Sequence, residues 1–118
     1  MKHDLIFHLV SRQTWKDRIV NGAYQPESLT ENIGKEAKIP CCNPDQVERV
    51  ANNKFKGTEN LYLIVIDVNR VSPRITTSEI DGQVYPQING PLNMDAVIDK
   101  ILLETDQEGL FEIEIDIH

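Results

Sequence analysis

The chain has 118 residues, which suits one ordinary domain better than two marginal cores. Its 40% hydrophobic and 26% charged residues are those of a globular chain. The longest apolar run, Leu61 to Ile66, is far short of the roughly 20 residues that a membrane-crossing helix needs. A formal charge of -7 argues against tight binding along an extended nucleic acid, which draws on clustered Lys and Arg, but a small nucleotide could be held locally.

The N-terminal stretch carries no small-residue cleavage site after a long apolar region, so secretion is not expected. Adjacent Cys41 and Cys42, with no third cysteine, suit a reducing cytoplasm. No repeat, low-complexity tract or Gly/Ser-rich linker divides the chain, and one domain over residues 1–118 is expected.

In chain order, Leu5-Ile6-Phe7-His8-Leu9-Val10 is apolar on both alternate faces except at His8, the pattern of a strand covered on two sides. Ser11 suits a helix N-cap, Trp15 and Ile19 recur at helical spacing, and Asn21-Gly22 supplies a left-handed stop, so a short helix follows. From Gly22 to Ile39 the pattern has no period, which predicts a long loop and a candidate binding segment. Asn43-Pro44-Asp45-Gln46 combines a cap, a first-turn proline, an early acid and a capping-box glutamine. A helix with Val47, Val50, Ala51 and Phe55 on one face should start there.

Leu61 to Ile66 lacks alternation and predicts a central strand. Ile75–Ser78 and Gln83–Tyr85 flank Asp81-Gly82 as a hairpin, with Pro86 expected to end the second strand. The spacing of Met94, Val97, Ile98 and Ile101 predicts a helix from Asn93 to about Lys100, and Leu102-Leu103 could open a strand. Asp106 to Gly109 reads as a hairpin turn before a final strand in which Phe111, Ile113, Ile115 and Ile117 alternate with Glu112, Glu114 and Asp116. The fold class is thus α+β, with split mixed or antiparallel sheets and about three short helices.

Few side chains stand out chemically. His8 could offer a ring nitrogen to a ligand or bond a neighbouring carbonyl. Cys42 precedes a helix start, where a thiol can be activated, although a buried inert thiol is the plainer reading. Glu79 is an acid at a strand end beside a turn, a place where sheets present catalytic groups, and it is otherwise a surface acid. Trp15 reads as a core anchor, and Tyr24, in an irregular segment, has the better claim to touch a ligand. The acids at 112, 114 and 116 fit a solvated strand face, which a basic partner could also use. No zinc spacing, phosphate loop or serine elbow occurs, so no metal is expected.

Taken together, Phe7-His8-Leu9-Val10-Ser11, Trp15 and Gly22-Ala23-Tyr24-Gln25-Pro26-Glu27-Ser28-Leu29 resemble a bacterial family known as domain of unknown function 952, DUF952. So do Lys38 to Gln46, Ala51-Asn52 through Phe55 and Gly57, and Tyr85-Pro86-Gln87-Ile88-Asn89-Gly90-Pro91-Leu92. The resemblance runs from about Leu5 to Leu103. Pro40 and Gln87 stand where the family pattern has histidine. The family in turn is similar to the ADP-ribosyltransferase-like fold, which binds NAD in a split-sheet cleft.

The resemblance implies NAD or ADP-ribose as ligand, with His8, Tyr24, Cys42 and Gln87 facing it and Glu79 as the catalytic carboxylate beside Gln87. The alternatives are a catalytically inactive interaction module and a thiol enzyme using Cys42.

Overall fold

The computed structural model describes residues 4–26 and 38–113. Its main sheet, antiparallel throughout, sets β5 (Leu61–Asp67) between β1 (Leu5–Ser11) and β9 (Val97–Leu103). β1 (Leu5–Ser11) pairs along its whole length with β5 (Leu61–Asp67), His8 opposite Ile64. β5 is central, as its unalternating sequence predicts. Ile64 and Ile66 face one apolar cluster with Trp15, Tyr24, Ile39, Ile88 and Leu92, while Leu61, Leu63 and Val65 face a second with Val47, Ala51 and Phe111. A strand buried on both faces needs apolar side chains at every position, and that is what Leu61 to Ile66 supplies.

Ser11 caps α1 (Arg12–Arg18), its hydroxyl accepting from the Thr14 amide at 3.2 Å. The helix stops at Arg18, short of the Asn21-Gly22 stop expected for it. Ile19–Val20 (β2) and Ala23–Tyr24 (β3) form a small hairpin around Asn21 and Gly22, with φ of 53° and 79°. Two consecutive positive φ values match the right-handed twist of a tight hairpin, so Asn21-Gly22 acts as a hairpin turn and not as a helix stop. The second sheet is completed by β8 (Leu92–Asn93), which pairs with β3. Residues 27–37, most of the expected loop, lie outside the described part.

The third sheet joins β4 (Ile39–Pro40), β7 (Gln83–Asn89) and β6 (Arg74–Ile80). The Asp81-Gly82 hairpin forms as expected, with φ of 51° and 78°. Pro86, expected to end its strand, lies inside it. The Pro86 carbonyl accepts from the Cys41 amide at 3.0 Å. Because the nitrogen and carbonyl of a strand residue point to the same side, its missing N–H faces β4 and costs the β6 ladder nothing.

Pro44–Gln46 forms a 3-10 turn leading into α2 (Val47–Lys54), and the Gln46 side chain accepts from the Asn43 amide at 2.9 Å as a capping box requires. Asn52 of α2 holds the later chain: its amide nitrogen donates to the Phe111 carbonyl at 3.0 Å and its oxygen accepts from the Phe111 amide at 2.7 Å.

The expected helix over Asn93 to Lys100 is absent. Met94–Ala96 makes a single 3-10 turn, and Val97–Leu103 is strand β9 on the edge of the main sheet. The three- and four-residue spacing of apolar side chains also fits a strand with apolar residues on both faces, and the free ladder of β5 selects the strand. Ile98, Ile101 and Leu102 stay largely exposed there, while Asp99 takes up the Lys100 amide at 2.7 Å. The turn from Asp106 to Gly109 forms, the Gly109 amide donating to the Asp106 carbonyl at 3.1 Å. Of the expected final strand, Phe111 contributes one isolated bridge to Thr105; Glu114 and Asp116 lie outside the described residues.

The fold is therefore small α+β, with antiparallel pairing and, among the described residues, two α-helices. Ile64, fully buried at the centre of the main sheet, should carry much of its stability. Ile64→Ala is expected to cost about 2–5 kcal/mol in urea unfolding, and a loss below about 1 kcal/mol would mean that the site collapses around the smaller side chain.

Candidate functional site

His8 is buried midway along β1 and bonds to both smaller sheets. Its Nδ1 lies 2.7 Å from the Pro40 carbonyl and its Nε2 3.0 Å from the Tyr24 hydroxyl. A carbonyl only accepts, so Nδ1 carries the proton; the neutral ring then accepts at Nε2, and Tyr24 donates. Trp15 stacks on Tyr24 with centroids 4.7 Å apart and 29° between the planes, fixing the phenol that meets the imidazole. Burial pushes the His8 pKa down to about 4, with the Pro40 bond opposing and the Arg18 charge assisting.

This shift has a stability consequence. An unfolded chain protonates the ring near 6.5, before the native state does. The contribution of His8 is therefore complete above that pH, falls as pH drops, and is lost below about 4. The full loss is on the order of 3 kcal/mol. Urea unfolding between pH 7 and 4 is expected to show a steeper decline for the native chain than for His8→Asn, which keeps a donor for Pro40. Parallel declines would contradict the neutral, buried ring.

Phe7 bonds Cys42 through both backbone groups, at 2.9 and 2.8 Å. This places the polar groups of Phe7, and two residues on those of Leu9, on the outer edge of β1. Beyond Cys42 no described strand pairs with that edge, and a cleft runs along it. One chamber, of about 290 Å³, is bordered by His8, Ser11, Arg18, Tyr24, Lys38 and Phe55. A second, of about 280 Å³ and mostly apolar, is bordered by Cys42, Val50, Lys54, Phe55, Asp81 and Tyr85. Leu9, Pro40 and Phe55 border both, so the chambers adjoin.

His8 and Tyr24 thus border the first chamber, and Cys42 borders the adjoining one. Cys42 is buried, its thiol 3.6 Å from the Phe7 carbonyl, and burial pushes its pKa up to about 12, outweighing the opposing charge of Lys54. A thiolate is disfavoured, and alkylation of Cys42 in the folded protein is expected to be slow at neutral pH and fast only in denaturant. Rapid native labelling would restore the thiol-enzyme reading.

Gln87 pairs across the ladder with Pro40 and donates to the Thr76 hydroxyl at 3.1 Å. It shares a sheet face with Tyr85 but borders neither chamber. Glu79 is exposed and pairs with Val84, one position out of phase with Gln87 along the ladder. It therefore lies on the opposite sheet face, not beside Gln87, and it also borders neither chamber.

Sequence reading missed Arg18, Lys38, Lys54, Phe55 and the open backbone of Leu9. The only signal available was positional: in an acidic chain, Arg18 and Lys38 flank the aperiodic stretch around Tyr24. No group of metal-binding side chains occurs among the described residues, and no helix there is long and apolar enough to cross a membrane.

Residues 9–100 match the model of a family described as a protein of unknown function, DUF952. Among solved structures, the crystal structure of protein CC0527 from Caulobacter crescentus aligns with a TM-score of 0.76 at 21% identity, over 92% of this chain and 93% of that one. Its solution NMR structure aligns at 0.71 and 20% identity, over 90% of each chain. No curated protein matches. At this identity the similarity is one of fold.

Proposed function

This chain belongs to the DUF952 family, whose function is unassigned, and we propose that its cleft binds a small phosphate-bearing nucleotide, with NAD and ADP-ribose the candidate ligands. The observation that carries the reading is the placement of Arg18 and Lys38 around the His8–Tyr24 pair in one chamber, in a chain of net charge -7. Two cations at the mouth of a cavity attract phosphate locally, whatever the sign of the whole surface. Leu9 adds a backbone donor and acceptor that no described residue pairs with, and the adjoining apolar chamber offers room for a ring.

The geometry favours binding over group transfer. Both ring nitrogens of His8 are engaged within the fold, so it positions the Tyr24 hydroxyl instead of reaching a ligand with a free nitrogen. A carboxylate that stabilises a cationic ribose must stand beside it, and Glu79 lies outside the cleft. The ADP-ribosyltransferase-like character of the split sheets remains part of this proposal.

Heating the protein with NAD, ADP-ribose and AMP, each at millimolar concentration, tests the reading. Binding to the native state alone must raise Tm, by a few degrees when the ligand exceeds its Kd about tenfold. Arg18→Ala should abolish the rise while leaving the ligand-free Tm close to native. The absence of any shift with all three ligands would overturn the proposal.

A further inference from the structure

The second chamber differs from the first in its chemistry. Its walls are largely apolar, with Val50, Phe55 and the ring of Tyr85 among them, and besides the Tyr85 hydroxyl three polar side chains border it: Asn53 and Lys54 at the end of α2, and Asp81 in the β6–β7 turn. An acid and a base at the margin of one apolar cavity select by charge. A carboxylate is drawn to Lys54 and repelled by Asp81, and an ammonium the reverse, so a singly charged head loses at one what it gains at the other. An uncharged edge with both a donor and an acceptor suits the pair, because Asp81 accepts from the donor while Lys54 or the Asn53 amide donates to the acceptor.

We propose that this chamber receives a planar ring whose polar edge is uncharged and carries both donor and acceptor, such as an amino-substituted base or an aromatic carboxamide. Asp81 is its specificity-determining residue. This rests on the reading of the first chamber as a phosphate site, which the shared wall of Leu9, Pro40 and Phe55 places next door. The ligand class narrows accordingly: sugar phosphates lack the ring, and acid-headed nucleotides lose at Asp81 what they gain at Lys54. The closure of the cavity on this side also depends on Gln46, whose side chain donates to the Val84 carbonyl at 3.0 Å and ties the start of α2 to the hairpin carrying Asp81.

Calorimetric titration of the full chain with four probes reads the selectivity: AMP, nicotinamide mononucleotide, nicotinic acid mononucleotide and ribose 5-phosphate. The first two are expected to bind at least about tenfold more tightly than the last two. The variant Asp81→Asn keeps a residue that tolerates the positive φ of the turn and removes the charge. It should shrink the gap between the carboxamide and carboxylate mononucleotides to about threefold or less, mainly by strengthening the latter.

If ribose 5-phosphate binds as well as AMP, the chamber takes no ring and the inference fails while the phosphate site stands. An undiminished gap in Asp81→Asn overturns the role of Asp81. If no probe binds at all, the reading of the first chamber fails with it.

Discussion

Three small sheets meet around one imidazole, and their arrangement is most stable while that ring is neutral. His8 belongs to the main sheet, its Nδ1–H donates to the backbone of the third, and its Nε2 accepts from a tyrosine of the second. Each bond crosses from one sheet to another, and each is made in a buried place where an unsatisfied nitrogen would cost about 1–3 kcal/mol. A protonated ring would lose its acceptor and set a charge in an apolar cluster. The same two bonds fix the orientation of the Tyr24 hydroxyl at the wall of the cleft, so a stabilising contact and the shape of the candidate site are one arrangement.

The cleft follows from incomplete pairing. β1 is fully laddered to β5 on one side, but on the other, among the described residues, it meets only Cys42 before the chain turns away into α2. What remains is a length of strand edge with backbone groups facing a hollow, closed by a helix end and a hairpin instead of a fourth strand. Exposed strand edges are hazards in small proteins. Here the edge is recessed between α1, Phe55 and the third sheet, which leaves it accessible to small molecules and shielded from other chains.

Much of this fold can be read from residue types because local chemistry and burial agree. Leu61 to Ile66 has apolar side chains at every position, as a strand with two dry faces requires, and Asn43 to Gln46 encodes its own helix start. Reading fails where two structures share one pattern. Asn21-Gly22 serves either as a helix stop or as a hairpin turn. Val97 to Leu103 fits a helix face until the free ladder of β5 is taken into account, and no sequence window contains that ladder. The candidate site divides in the same way. His8 and Tyr24 are conspicuous as a polar residue in an apolar strand and an aromatic in a polar stretch, whereas Arg18, Lys38 and Phe55 matter only through their neighbours in space. The grouping of Glu79 with Gln87 failed on the twofold period of a strand, since their registers put them on opposite faces.

Pro86 shows how one absent hydrogen shapes the whole corner. Cys41 can give its amide to the proline carbonyl, but no amide returns the bond, so β4 has no reason to zip further along β7. The next residue is released to span the gap, and Cys42 docks on Phe7 of the main sheet through two backbone bonds. Neighbouring cysteines consequently sit in separate interiors, Cys41 within the Ile64 cluster and Cys42 within the Leu63 cluster. The chain thereby stitches two layers together with a single peptide unit, and an amide proton restored at position 86 would offer that unit a competing place to bind.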